Sequence, residues 1–125
     1  MIGNKYLKNL YDYPDLDTSI NQLLTLLISG DMAFISSLDT PLELDALDHD
    51  EQHFMTIIAA VIDYQLQQDE RLVPRWLRSD SLCFDEPYFH SQRLSDFEKF
   101  KIQYTVPGPF RARQVYIDPD GLKRV

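Results

Sequence analysis

Residues 48–70, DHDEQHFMTIIAAVIDYQLQQDE, decide the fold that we predict for this chain. Apolar side chains recur here at the i, i+3, i+4 spacing of a helix that is buried along one side. They are Phe54, Ile57, Ile58, Val61, Ile62 and Leu66. Two adjacent alanines favour the helix, and acidic residues in its first turn complement the helix dipole. We predict a central helix that begins near Asp48 or Asp50 and ends near Arg71.

Three shorter helices are predicted upstream of the central one. Residues 4–13 carry apolar side chains at helical spacing until a proline interrupts them. The next helix has Asp17 or Thr18 as its N-cap and stops before Gly30, where a left-handed residue is favoured. Residues 31–39 form the third helix. Its inward side chains are predicted to be Phe34, Ile35 and Leu38.

Downstream of residue 71 the composition changes to prolines and aromatic residues. We predict a short helix that starts at Pro74, a longer helix within residues 91–104, an extended piece at residues 114–117, and a turn at DPDG, residues 118–121. The longer helix is predicted to turn Leu94, Phe97, Phe100 and either Ile102 or Tyr104 inward.

These elements predict a mainly α protein, a compact helical bundle of five to six helices with an irregular, proline- and aromatic-rich C-terminal segment. A length of 125 residues fits one domain. Within it we expect an acidic helical core at residues 1–71 and an aromatic, basic helical wrap at residues 72–125. No apolar stretch reaches the roughly 20 residues of a membrane span. The start lacks a secretory signal, and Cys83 is the single cysteine, so we expect a cytoplasmic protein.

The charge is divided unevenly along the chain. Residues 31–70 contain ten acidic residues and no Lys or Arg, a sum of −10. Residues 1–30 sum to −1 and residues 71–125 to +3, which gives the net charge of −8. This balance argues against non-specific nucleic-acid binding by the whole surface, because phosphate binding needs clustered Lys and Arg.

Three interpretations of the divided charge are open. In the first, the basic C-terminal segment lies over the acidic middle of the same chain, with ion pairs worth ~0–1 kcal/mol each. In the second, an acidic face binds a basic partner protein. The candidate residues of that face are Asp45, Asp48, Asp50 and Glu51. In the third, a basic cluster contacts phosphate or nucleic acid. That cluster consists of Arg111, Arg113, Lys123 and Arg124.

Aromatic residues and prolines alternate through residues 72–125. We interpret the pattern as a C-terminal clamp, in which rings dock on the helical core while arginines meet carboxylates of the acidic middle or of a partner. The clamp residues are Trp76, Phe89, Phe110, Arg111, Arg113 and Tyr116. The alternative is an exposed aromatic surface for a partner, because Trp, Tyr and Arg concentrate binding energy at interfaces.

No motif in the sequence predicts catalysis or a cofactor. His49 and His53 lie four residues apart and have the spacing of two metal ligands, but solvated or capping roles also explain them. Cys83 and His90 are residue types of a thiol nucleophile and its base. Cys83, however, lies between a leucine and a phenylalanine, which predicts a buried, inert thiol. We expect a non-enzymatic protein, with a metal-dependent enzyme at the two histidines as an alternative.

Uncommon residues follow one another in a recognisable order in the C-terminal half. The order is P-x-W, then a leucine and P-x-F, then P-x-x-F-R-x-R, a hydrophobic triplet with Asp, and L-x-R. The residues are Pro74 and Trp76; Leu82, Pro87 and Phe89; Pro107, Phe110, Arg111 and Arg113; residues 115–118; and Leu122 and Arg124. In this order the segment resembles small uncharacterised bacterial proteins that often neighbour predicted nucleotidyltransferase toxins, some with an N-terminal helix-turn-helix.

That resemblance implies an antitoxin-like or regulatory role beside a partner protein, and it supplies no catalytic residues. Residues 31–70 lack Lys and Arg, so we expect no DNA-binding helix-turn-helix in the N-terminal half. The leading hypothesis is a small interaction protein that binds a basic partner through its acidic face. We expect no membrane association, no direct nucleic-acid contact and no cofactor, and a homo-oligomer is compatible with the sequence.

Overall fold

A computed structural model of the chain describes residues 1–90 and 95–117, and helices dominate both ranges. Within them the six α-helices are α1 (Lys5–Tyr11), α2 (Leu16–Ile28), α3 (Met32–Ser37), α4 (His49–Gln68), α5 (Asp96–Thr105) and α6 (Gly108–Ala112). Short 3₁₀ turns occupy Leu44–Ala46, Arg75–Arg78 and Asp80–Leu82, and two-residue strands form β1 (Tyr88–Phe89) and β2 (Val115–Tyr116). The prediction of a mainly α, compact helical bundle is confirmed.

Helix α4 is the centre of the fold. It begins with a capping box: the Asp48 side chain accepts from the Glu51 backbone N–H, and the Glu51 side chain accepts from that of Asp48. Residues 54–63 are all buried. Because α2, α6, β2 and the 3₁₀ turns Arg75–Arg78 and Asp80–Leu82 pack around it, the helix is enclosed in its middle, where the sequence predicted burial along one side.

The C-terminal end of α4 is set by backbone conformation. The helix stops at Gln68, short of the predicted Arg71. Glu70 takes a left-handed φ of 56°, which reverses the chain direction. The Arg71 N–H then returns to the carbonyl of Leu66 at 2.8 Å, satisfying one of the last helix carbonyls.

Helix α2 begins earlier than predicted. Its N-cap is Asp15, whose carboxylate accepts from the Thr18 N–H at 2.7 Å. Asp17, one of the two predicted caps, lies in the first helical turn, where an acidic side chain suits the dipole. At the other end Gly30 has a φ of +71°, which confirms its predicted left-handed role. Helix α2 then packs along α4.

The chain downstream of α4 packs against it through short segments. The strands β1 and β2 run parallel, with Tyr88 opposite Val115 and Phe89 opposite Tyr116. The sequence predicted the extended piece at residues 114–117 but gave no sign of its partner strand. The predicted turn at residues 118–121 and the predicted inward Leu94 lie outside the described residues.

Helix α5 buries Ile102, one of the two predicted alternatives, whereas the predicted inward side chains Phe97 and Phe100 face solvent. Ile102 is its buried residue, while Phe97, Phe100 and Tyr104 are 74%, 58% and 69% exposed. The helical spacing identified an apolar face correctly, but spacing does not say which neighbour covers that face.

The described helices include none that combines the length and the apolar character needed to cross a membrane.

Candidate functional site

Asp63 is a carboxylate in the apolar centre of α4, and it is only 2% exposed. Arg78 donates to it from Nε and Nη2, each at 3.0 Å, as a bidentate pair. Gln67 donates from Nε2 at 2.7 Å, and Arg113 from Nη2 at 2.9 Å. Each carboxylate oxygen therefore accepts two hydrogen bonds.

The pKa of Asp63 reflects a balance between burial and its donors. Burial raises the pKa of this carboxyl, but the hydrogen bonds from Arg78, Gln67 and Arg113 outweigh it and hold the pKa below its ordinary value. Asp63 is therefore ionised at neutral pH, where one carboxylate faces two arginine cations.

Arg113 joins the C-terminal segment to the core and is 4% exposed. Besides its bond to Asp63, it donates to the carbonyls of Leu77 and Pro109 at 2.7 and 2.8 Å. Its Nε is the one buried side-chain nitrogen or oxygen without a partner in residues 1–90 and 95–117. The acidic carboxylate that Arg113 meets thus belongs to its own chain.

The aromatic clamp residues also pack within the chain. Phe110 is fully buried. Trp76 donates from its indole nitrogen to the carbonyl of Leu38 at 2.7 Å, and the rings of Phe89 and Tyr116 stack with their centroids 5.3 Å apart. Trp76 and Phe110 thus tie the 3₁₀ turn Arg75–Arg78 and α6 to the helical core, and the stacked rings join β1 to β2.

Arg111 behaves differently from Arg113. Its Nη2 donates to the backbone carbonyls of Tyr104 and Val106 at 3.1 and 3.3 Å, where we had predicted a carboxylate. Carbonyls at the end of α5 lack helical partners, so a cation suits that position.

A cleft of about 460 Å³ opens beside the buried carboxylate. Its lining includes Asp63, Arg78, Cys83 and Arg113. Cys83 is exposed, so the prediction of a buried thiol is wrong. Cys83 follows the 3₁₀ turn Asp80–Leu82 in extended backbone. Leu82 takes the buried side, which leaves the thiol outside.

Three carboxylates of the predicted acidic face are exposed: Asp45, Asp48 and Asp50. We call them the acidic surface. None of them takes part in an ion pair within the described part of the chain. Asp48 also caps α4, whereas the side chains of Asp45 and Asp50 have no such structural task.

Glu51, the fourth predicted member, is buried. It accepts from the N–H groups of Asp48 and Ile2 at 3.0 and 3.1 Å, and its carboxylate lies 3.1 Å from the amine of Met1. The Asp48 N–H is the main cause that lowers the pKa of Glu51, with the Met1 amine and the Ile2 N–H adding to it against the effect of burial. Glu51 therefore lies beneath the acidic surface and is not available to a partner.

The carboxylates of this region act on the hydroxyl of Tyr11. Burial raises the pKa of its hydroxyl, and the nearby carboxylates of Asp48, Asp50 and Glu51 raise it further. Their charges therefore act together on one side of the molecule, at the start of α4.

His53 and His90 make contacts other than those of the predicted sites. His53 packs on the rings of Phe84 and Tyr88, with centroids 4.9 and 5.2 Å apart, and burial is the main cause that lowers its pKa. His90 pairs through Nε2 with Asp17 at 2.6 Å. Among the described residues no hydrogen bond joins His90 to a thiol, and no group of three His, Cys, Asp or Glu side chains could hold a metal ion.

Two members of the predicted basic cluster, Arg111 and Arg113, are bound within the chain. Arg113 is buried against Asp63, and Arg111 is held by backbone carbonyls. Lys123 and Arg124 lie outside the described residues.

The chain matches no family model, no curated protein and no solved structure.

Sequence reasoning missed the pairing of Asp63 with Arg78, although a signal was present. Asp63 is the lone charge between residues 54 and 66 of an apolar helix. A buried carboxylate requires donors or a cation, so Asp63 could have been assigned a basic partner downstream.

Proposed function

We propose that this protein is a non-enzymatic interaction module, an antitoxin-like regulator that binds a basic partner protein through the acidic surface. One observation carries the proposal: Asp45, Asp48 and Asp50 are exposed and have no ion pair among the described residues. Arg111 and Arg113, which the sequence predicted to meet carboxylates of the acidic middle or of a partner, bind backbone carbonyls and Asp63 instead.

The surroundings of the acidic surface favour a protein partner. Residues 31–70 contain ten acidic residues, of which Asp63 is paired with two arginines and Glu51 with the Met1 amine. The negative field of the exposed carboxylates that remain speeds encounter with a basic surface and selects against acidic ones. An open groove of about 650 Å³, lined by Glu43, Asp45, Ser79, Ser81 and neighbouring residues, lies alongside. It offers carboxylate and hydroxyl oxygens to Lys and Arg side chains.

The antitoxin-like role rests on the resemblance of the C-terminal half to small bacterial proteins that neighbour predicted toxins. We place the protein in the cytoplasm, where a single exposed thiol stays reduced. Direct phosphate binding by the basic cluster has less support, since Arg113 is buried and already paired.

Affinity capture from extracts of the native cell tests the proposal with three baits. They are the wild type, the charge reversal Asp45→Lys/Asp50→Lys, and the matched control Asp85→Lys/Glu86→Lys. Both pairs are exposed, and neither Asp45 nor Asp50 caps the helix. Asp50→Lys loses a favourable interaction with the helix dipole, but the capping box of Asp48 and Glu51 is retained, so all three baits should fold. Circular dichroism verifies this before capture.

We expect the wild type and the control to retain one basic protein in stoichiometric amount, and the charge reversal at Asp45 and Asp50 to lose it. Raising the salt concentration should release it from the wild type and from the control. Equal retention by the three baits, or capture of no basic protein, would contradict the proposal.

A further inference from the structure

Helix α5 presents an aromatic face to solvent. Phe97, Phe100 and Tyr104 are 74%, 58% and 69% exposed, and the last two rings contact each other with centroids 4.7 Å apart. At 3.6 residues per turn the three side chains lie within about 60° of one another, and the buried Ile102 lies about 165° away. The helix is thus held to the core by one side and offers the opposite side to another molecule.

The spacing of the rings is that of a coiled-coil seam. Residues 97, 100 and 104 take the positions a, d and a of a heptad. Asp96 then takes the flanking position g, and Lys101 the flanking position e. In a parallel pair of helices, g of one chain meets e of the other five residues further along, and opposite charges there set partner and orientation.

This register makes α5 complementary to itself. Asp96 of one copy would meet Lys101 of a second copy, and the reciprocal pair would form by symmetry. An antiparallel pair would instead bring Lys101 close to its own counterpart. Neither residue takes part in an ion pair in the described part of the chain. The neighbouring Lys99 is used within the chain, over the ring of Phe89 at 5.4 Å.

We propose that the α5 face is a homodimer interface, in which the helices of two copies pair in parallel through their aromatic seam. The proposal goes beyond the proposed function, since its occupant is a second copy of this chain and its residues lie apart from the acidic surface. With 10 residues α5 is about 15 Å long. The pair buries less than the ~1,600 Å² of a standard interface, so the dimer is concentration-dependent.

Sedimentation equilibrium of the full chain over a broad concentration series tests the proposal. We expect reversible dimerisation of the wild type and at least a tenfold weaker association for Phe100→Ser, with unchanged circular dichroism because the ring is exposed. Asp45→Lys/Asp50→Lys should dimerise like the wild type, which separates this interface from the acidic surface. A wild type that stays monomeric throughout, or a dimer unaffected by Phe100→Ser, overturns the proposal.

Two charge variants test the parallel register. Asp96→Lys places lysine at both flanking positions, and Lys101→Asp places aspartate at both, so each variant alone should associate more weakly. An equimolar mixture of the two restores both pairs and should dimerise like the wild type. Association of the mixture no stronger than that of either variant alone contradicts parallel pairing and overturns the proposal.

Discussion

At the scale of single residues, Asp63 explains how an acidic core and a basic C-terminal segment belong to one fold. It accepts hydrogen bonds from Arg78 in a 3₁₀ turn and from Arg113 beyond α6. A buried charge is costly unless it is paired, so the two arginines hold the segment that carries them against α4. The carboxylates of the acidic surface are left to solvent.

Substitution of Asp63 by Asn should destabilise the fold by about 3 kcal/mol, because it leaves Arg113 buried without a counter-charge. Asp80→Asn is the matched control, since Asp80 lines the same cleft but is exposed and pairs with no arginine among the described residues. Urea denaturation of both variants gives the comparison. Equal unfolding midpoints for the two would show that the buried carboxylate is not structurally important.

Acid should remove the contribution of Asp63. Its pKa in the folded state lies below the reference value of 3.8, so the stability that it confers is present above that pH and is lost as the pH falls through the folded-state pKa. Urea midpoints from pH 7 to pH 2 should therefore fall more steeply for the wild type than for Asp63→Asn. Parallel pH curves would rule out this linkage.

At the scale of elements, helices and their caps could be predicted from the sequence better than the contacts between distant segments. The core helix, its acidic first turn and the left-handed Gly30 follow from rules that act within a few residues. The β1–β2 pair and the outward face of α5 depend on contacts between distant segments. An apolar stripe such as that of Phe97, Phe100 and Tyr104 predicts that something covers it, but not that the cover is this chain's own core.

The capping box should contribute to α4 by an amount that can be measured. Asp48→Ala removes the side chain that accepts from the Glu51 N–H. We expect it to lower the free energy of unfolding by about 1 kcal/mol. Asp48→Ser retains a capping side chain and should lower the free energy of unfolding less than Asp48→Ala does, although both variants remove the same charge. Urea denaturation distinguishes the two, and equal losses for Ala and Ser would assign the effect to charge instead of capping.

Gly30→Ala should lower the free energy of unfolding by about 1 kcal/mol, because Gly30 has a φ of +71° and alanine is strained in that conformation. No atom lies within 4 Å of the added Cβ position, so the cost is conformational and not steric. Gly108→Ala is the control: it also has open space, and its φ lies outside the left-handed region. Thermal unfolding should separate the two variants, and an equal change in Tm would argue against strain at Gly30.

At the scale of the whole molecule, the sequence predicted the helical class but not how charge is distributed over the surface. One interpretation of the unequal blocks of charge is that the C-terminal segment neutralises the acidic middle. In the structure it neutralises Asp63, and Arg111 turns to backbone carbonyls. Neutralisation depends on which carboxylate each arginine reaches, and one sequence without its fold does not give those distances.

The central claim is that the C-terminal segment is fixed to α4 at Asp63, so that the acidic surface stays free for a partner. Hydrogen exchange measured by mass spectrometry tests it most directly, by comparing residues 106–117 with α4 in the wild type and in Asp63→Asn. We predict slow exchange of residues 106–117 in the wild type, and faster exchange in Asp63→Asn under conditions where α4 remains protected. Rapid exchange of residues 106–117 in the wild type would contradict the claim, because its arginines would then be free to reach the acidic surface.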